Sequence, residues 1–284
     1  LSGAVARAEP VGEPDNVCEG GAYVWTGANG AGWADPANWS GTDPEGDPVG
    51  GFPGTTKFDC AFIRVTGPAA PAISGAPDLF FDSVYVASKG SDGELSIVDG
   101  RVTVRTREGS DSGGHIVLGR GGGSGTLTIG DGGGAPHVET EQIEVQRPGD
   151  LLRIHSGVVD VTDVAFLLGG TTEILGSGQL RAAELELGSD ATLTVDSNGP
   201  DAGIVVGELE SAGTFSIRNG HVEVTGGTFV VEGTTEIIGN GQLATGWLDV
   251  SEDASVIVDT QAPGAAIAAD EIWNEGNLLV QGGL

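Results

Sequence analysis

The side chains best suited to move a proton or hold a metal near neutral pH are four histidines, His115, His137, His155 and His221. They share no metal-ligand spacing and read as surface or loop residues without a metal or catalytic role. The run Gly-Gly-Gly-Ser-Gly at 121–125 offers backbone N–H groups to a phosphate, but the Lys-Ser/Thr of a phosphate loop does not follow it. It also falls short of a calcium-binding Gly-Gly-x-Gly-x-Asp repeat, because Leu127 stands where the Asp is needed; it reads as a glycine-rich corner. Paired carboxylates could attack a glycosidic bond. The acids Glu173/Glu236, Asp196/Asp259 and Glu208/Glu271 recur with the sequence repeat described below. In a stacked coil, one repeat of three turns separates each pair by about 14 Å, wider than the ~5–9.5 Å between glycosidase carboxylates. They read as a solvated acidic face whose oxygens would bind Ca2+ or Mg2+ weakly, with no other cofactor implied. Arg101, Arg105, Arg107 and Arg120 form the one basic cluster. Asn38-Trp-Ser40 matches a glycosylation sequon, a pattern short enough to arise by chance.

The elements that would position these residues follow from composition and repeat. Twelve Lys and Arg stand against 41 Asp and Glu in 284 residues, a formal charge of −29. That field repels nucleic acid and anionic membranes. No apolar run approaches the ~20 residues that span a bilayer, so neither a nucleic-acid partner nor membrane insertion is expected. With 51 Gly and 13 Pro, these two types have nearly double their usual share of about 12%. Short Val/Ile/Leu runs alternate with polar residues, a folding pattern and not a disordered one.

From Gly170 to Leu180 the sequence GTTEILGSGQL returns as GTTEIIGNGQL from Gly233 to Leu243, an offset of 63. The offset persists from Leu185 to Leu248, Val195 to Val258, Phe215 to Leu278 and Ile217 to Val280. Each unit divides again into three segments, each with about three short strands separated by Gly, Asn, Asp or Ser. A segment of about 21 residues falls in the range of one solenoid turn. Strand starts fall near 60, 93, 125, 148, 171, 191, 213, 234, 254 and 276, with the first two turns longer. Three strands per turn at this period is the sequence form of a parallel β-solenoid. About nine turns stacked at ~4.8 Å would make a rod of roughly 45 Å. The alternation turns Phe215, Ile217, Val222 and Val224 inward and Ser216, Arg218 and Glu223 outward.

Residues 1–21 read as an N-terminal arm, 22–60 as a Trp-rich cap and 61–284 as the solenoid, with its repeated unit at 170–232 and 233–284. The chain begins at Leu1, as a processed or fragmentary chain would. Ala6-Arg7-Ala8 has the form of a signal-peptidase site without an apolar region before it, and fits a plain arm equally. Cys18 and Cys60 flank the aromatic-rich segment. In an exported chain they would pair, closing a loop of about 40 residues for roughly 3–4 kcal/mol; the alternative is two buried thiols.

The segment from Trp25 to Trp39, WTGANGAGWADPANW, followed by Phe52-Pro-Gly54 and by DCAFI from Asp59 to Ile63, resembles the opening of secreted bacterial repeat proteins of the autotransporter-like, pectin-lyase-like β-helix type. The resemblance covers residues 22–63 by motif and the remainder by repeat style. It implies a right-handed parallel β-helix in the extracellular space or at a cell surface, and carries over no catalytic residue.

The all-β reading leads to a structural, non-enzymatic protein: a subunit of a surface layer, sheath, matrix or filament. A polysaccharide-degrading enzyme and a carbohydrate-binding adhesin are the alternatives. Trp25, Trp33 and Trp39 supply the apolar area that closes a solenoid end, or, for an adhesin, a sugar platform. The last turn ends in GNLLVQGGL, leaving Leu278, Leu279, Val280 and Leu284 at an open edge. Copies of the chain would add there head to tail through the Trp-rich cap or the arm; polysaccharide is the other expected partner.

Overall fold

The computed structural model describes residues 18, 20–55, 58–75, 78–106, 113–131, 133–199, 201, 203–260 and 266–281. Most of the expected arm, Arg107 and Leu284 lie outside them. The 22 strands and three short 3-10 turns among the described residues build a parallel β-solenoid of about nine turns.

The alternation seen in the sequence produces three stacked faces. In Gly93–Ile97, Leu95 and Ile97 are buried while Glu94 and Ser96 are half-covered. The same inward-outward rhythm recurs on each rung, so every turn places about two apolar side chains per face in the interior. One face stacks Ala22–Trp25, Cys60–Ile63, Ser83–Val86, His115–Leu118 and Gln142–Val145. It continues through 164–167, 184–187, 208–211, 229–231, 247–250 and 271–274. The second stacks Ala72–Ile73, Gly93–Ile97, Gly125–Ile129 and Leu151–Ile154, then 171–176, 191–197, 214–219 and 234–240, then Ser255–Thr260 and Asn277–Val280. The third runs from Leu79–Phe81 to 267–269.

Rungs of the second face begin at 93, 125, 151, 171, 191, 214, 234, 255 and 277, close to the expected series, although at 171 and 191 the strand runs on through the corner. The expected start near 60 belongs to the first face. The step from Val84 to its register partner Ile116 is longer than the one before it, from Ala61 to Val84, so the enlarged turns lie slightly later than expected.

Phe215, Ile217, Val222 and Val224 are buried in one continuous core, and Arg218 and Glu223 are exposed. Ser216 departs from expectation. It lies in an outward row but is buried, a short side chain flanked in register by the longer Thr194 and Glu236. The corner glycines of the repeat have two different reasons. Gly170 has φ +71°, in the left-handed region. Its counterpart Gly233 does not, but a Cβ there would stand 2.3 Å from the carbonyl oxygens of Ala212 and Gly213.

At the N-terminal end, Ala22–Trp25 pairs in parallel with 60–62 on one side and antiparallel with Trp39–Thr42 on the other. The antiparallel partner, continued by the two-residue strand Pro48–Val49, replaces the next parallel rung and blunts the edge. Cys18 and Cys60 are joined in a disulfide across a sequence separation of 42. A loop of that length is worth about 3–4 kcal/mol in the chain-entropy account. Reduction, or Cys18→Ser, is therefore expected to lower the urea midpoint; equal midpoints with and without dithiothreitol would contradict this.

Candidate functional site

Trp25, Trp33 and Trp39 are 2, 2 and 8% exposed. Trp33 and Trp39 meet edge to face at 4.6 Å, Trp25 and Trp39 at 4.9 Å, and Trp33 reaches Phe81 at 5.7 Å. Each indole N–H is committed: Trp25 to Ala69 O at 2.7 Å, Trp33 to Pro53 O at 3.2 Å and Trp39 to Trp33 O at 2.8 Å. These rings close the end of the core and offer no free face to a sugar or to another subunit. At the other end, Leu278 is half-buried against the core while Leu279 and Val280 are exposed. Asn38 is wholly buried, its amide donating to Gly32 O at 3.0 Å, so the sequon asparagine is a packing residue.

Three of the four histidines sit beside carboxylates. His115 lies 3.4 Å from Glu144, His137 2.8 Å from Asp160 and His221 3.9 Å from Glu223. These three are on strands, not in loops. The arginines disperse: Arg101 and Arg105 both pair with Glu139, whereas Arg120 lies over the Tyr85 ring at 5.0 Å. No group of three or more His, Cys, Asp or Glu with metal-holding geometry occurs among the described residues.

Two features were missed by following the repeat offset alone. The first is acidic. Glu184 aligns with Glu208 and Glu186 with Glu210 on adjacent rungs. Neighbouring rungs are about 4.8 Å apart, so these acids stand far closer than the roughly 14 Å expected for repeat-equivalent ones. The signal was present as Glu-Leu-Glu at both 184–186 and 208–210. Burial, then the Glu184 charge, pushes the Glu186 pKa up; burial, then Glu232, Glu186 and Glu184, does so for Glu210. Glu144, in the same outward row, goes the other way. Burial raises its pKa, but hydrogen bonds from His115 and Gln146 and nearby positive charge outweigh that and hold it low.

A carboxyl whose folded pKa is raised contributes stability that is complete below the unfolded value and is lost as pH rises through the folded one. Glu186→Gln and Glu210→Gln should therefore raise the melting temperature at pH 7. The gain should shrink with added NaCl and disappear below the ordinary glutamate pKa of about 4.3. Melts of wild type and variants at pH 7 and pH 3.5 check this; an unchanged or lowered melting temperature at pH 7 would contradict it.

The second feature is a groove with aromatic neighbours. Where the third face turns into the first, successive corners carry Thr225–Gly227, Gly246 and Asp270. With so little side-chain bulk the corner dips into an open groove of about 550 Å³, lined among others by Glu223, Thr225, Thr245, Gly246, Ala269 and Asp270. The Thr245 hydroxyl is within bonding distance of Gly227 O (3.2 Å) and Trp247 O (3.0 Å), and that of Thr225 donates to Val206 O at 3.0 Å. Their protons point into the backbone, so these two hydroxyls face the groove only as acceptors. Trp247, next after Gly246, is 43% exposed, and Trp273, one rung on, is 54% exposed.

The chain matches no protein-family model, no curated protein and no solved structure. The geometry of the solenoid and its surface therefore carries the functional argument.

Proposed function

We propose that this chain is a structural, non-enzymatic β-solenoid protein of the extracellular space or a cell surface. The observation that carries the reading is the continuous stack of parallel rungs, with register shifts at a few positions, which makes a rod whose core depends only on neighbouring turns. A disulfide, Cys18–Cys60, suits an oxidising compartment, and the Trp-rich opening resembles that of secreted β-helix proteins. The acidic surface favours solubility and would hold Ca2+ or Mg2+ weakly. No helix among the described residues is long and apolar enough to cross a membrane.

The same reading includes stacking of copies. Ile272 and Val280 occupy inward rows, in register with the buried Leu248 and Val258, yet are largely uncovered on the last described rung. Because the Trp-rich end is closed by its own antiparallel strand, the rung that would cover them is assigned to the N-terminal arm of another copy and not to its cap. The test is surface labelling of intact producing cells, together with scattering of purified protein over a concentration series. Surface exposure and growth of rod length support the proposal. A protein found only inside cells, or one cleaving neutral or acidic polysaccharides, would overturn it.

A further inference from the structure

We infer that Trp247 and Trp273, with the corner groove next to Trp247, bind an uncharged polysaccharide chain. The site lies at the opposite end from the buried tryptophans of the cap, and the inference does not depend on the structural role proposed above.

Register fixes the geometry. Leu248 and Ile272 share an inward row, so Trp247 and Trp273 both belong to outward rows of the first face and point away from the rod axis. Trp247 aligns with Glu271 and Asp249 with Trp273. The two indoles are thus diagonal neighbours, one rung and two positions along the strand apart, roughly 8 Å between their backbones. The Trp273 N–H lies 3.3 Å from the Glu275 carboxylate. That contact restrains one ring before any ligand arrives, which lowers the cost of ordering it on binding.

The surroundings select the occupant. Exposed indoles offer broad apolar faces that suit the C–H faces of pyranose rings. The side-chain polar groups of this surface are acceptors: Glu271 and Asp249 in register with the tryptophans, Glu223 and Asp270 in the groove, and both threonine hydroxyls of the groove donate to backbone carbonyls. Such a surface needs a ligand rich in donors, which a chain of sugar hydroxyls provides. Anionic glycans are repelled by these acids and by the formal charge of −29. A second copy meeting this face with its own would set the same acids against each other. A neutral glycan meets neither obstacle.

The experiment is affinity electrophoresis of the full chain in gels containing hydroxyethyl cellulose, laminarin, xylan or galactomannan, with polygalacturonate as the acidic comparator. Wild type should be retarded by at least one neutral polymer and not by polygalacturonate. Trp247→Ala and Trp273→Ala should each weaken retardation about tenfold, and the double variant should abolish it while melting like wild type. Trp273→Tyr should retain part of the binding. The inference is overturned by free migration in all four neutral gels, by retardation unchanged in the double variant, or by equal retardation in polygalacturonate. It is also overturned if the double variant loses only self-association, which would make this face a contact between copies.

Discussion

Phe215→Asp is expected to unfold the turns around it and to remove most of the chain's stability. Phe215 is 0% exposed, stacked in register between Leu193 and Thr235, and edge-on to Phe229 at 6.0 Å. Loss of a buried phenyl ring alone costs about 3–5 kcal/mol. A carboxylate in its place has no partner in an apolar interior and adds a desolvation penalty or is forced to protonate. The total approaches the roughly 5–15 kcal/mol that stabilises a typical domain. Because each turn contacts only its neighbours, the damage should centre on one stretch of the rod. Limited proteolysis should cut first between Leu193 and Ile237, and the urea transition should shift far down or split. Glu223→Ala, on the exposed side of the same turn, should stay within about 0.5 kcal/mol of wild type. A Phe215→Asp protein with the wild-type midpoint would show that the inward assignment of this row is wrong.

Trp33→Ala is expected to cost about 3–5 kcal/mol, the range for removing a large buried aromatic. The indole packs against Trp25, Trp39 and Phe81 and donates to Pro53 O. Its loss opens a cavity at the end of the core, where the antiparallel strand Trp39–Thr42 closes the stack. The effect should appear as a lowered midpoint with unchanged glycan retardation, because binding is assigned to the other end. Denaturant melts and the affinity gels measure the two properties separately. Stability retained with glycan binding lost would reverse the roles of the two tryptophan groups.

The acids and the exposed tryptophans show where sequence reasoning stopped. The repeat offset pairs Glu208 with Glu271, three rungs away, whereas its neighbour in space is Glu184. The interval between rungs is not constant: the step from Ala165 to its register partner Leu185 is shorter than the step from Leu185 to Leu209. An average turn length therefore cannot align outward side chains. Trp247 and Trp273 could have been found from alternation alone, since each lies next to an inward-row residue, Leu248 and Ile272. Their juxtaposition could not, because it depends on the length of the turn that joins those two positions.

By itself the sequence determined the class of fold, the inward rows and the glycine-marked corners. These follow from a period of two along each strand and a recurring length per turn, both carried by residues close together in the chain. Ser216 marks the limit: its outward direction was legible, but its burial depends on Thr194 and Glu236 from other turns. Only the tertiary structure decided that Trp25, Trp33 and Trp39 are buried and that Glu184, Glu186, Glu208 and Glu210 share a surface. It alone set Trp247 and Trp273 diagonally to one another, with a groove next to Trp247. The physical reason is that a solenoid's surface is assembled across rungs. Inward residues answer to the hydrophobic effect and reveal their direction locally, whereas outward residues acquire neighbours through the length of the intervening turn.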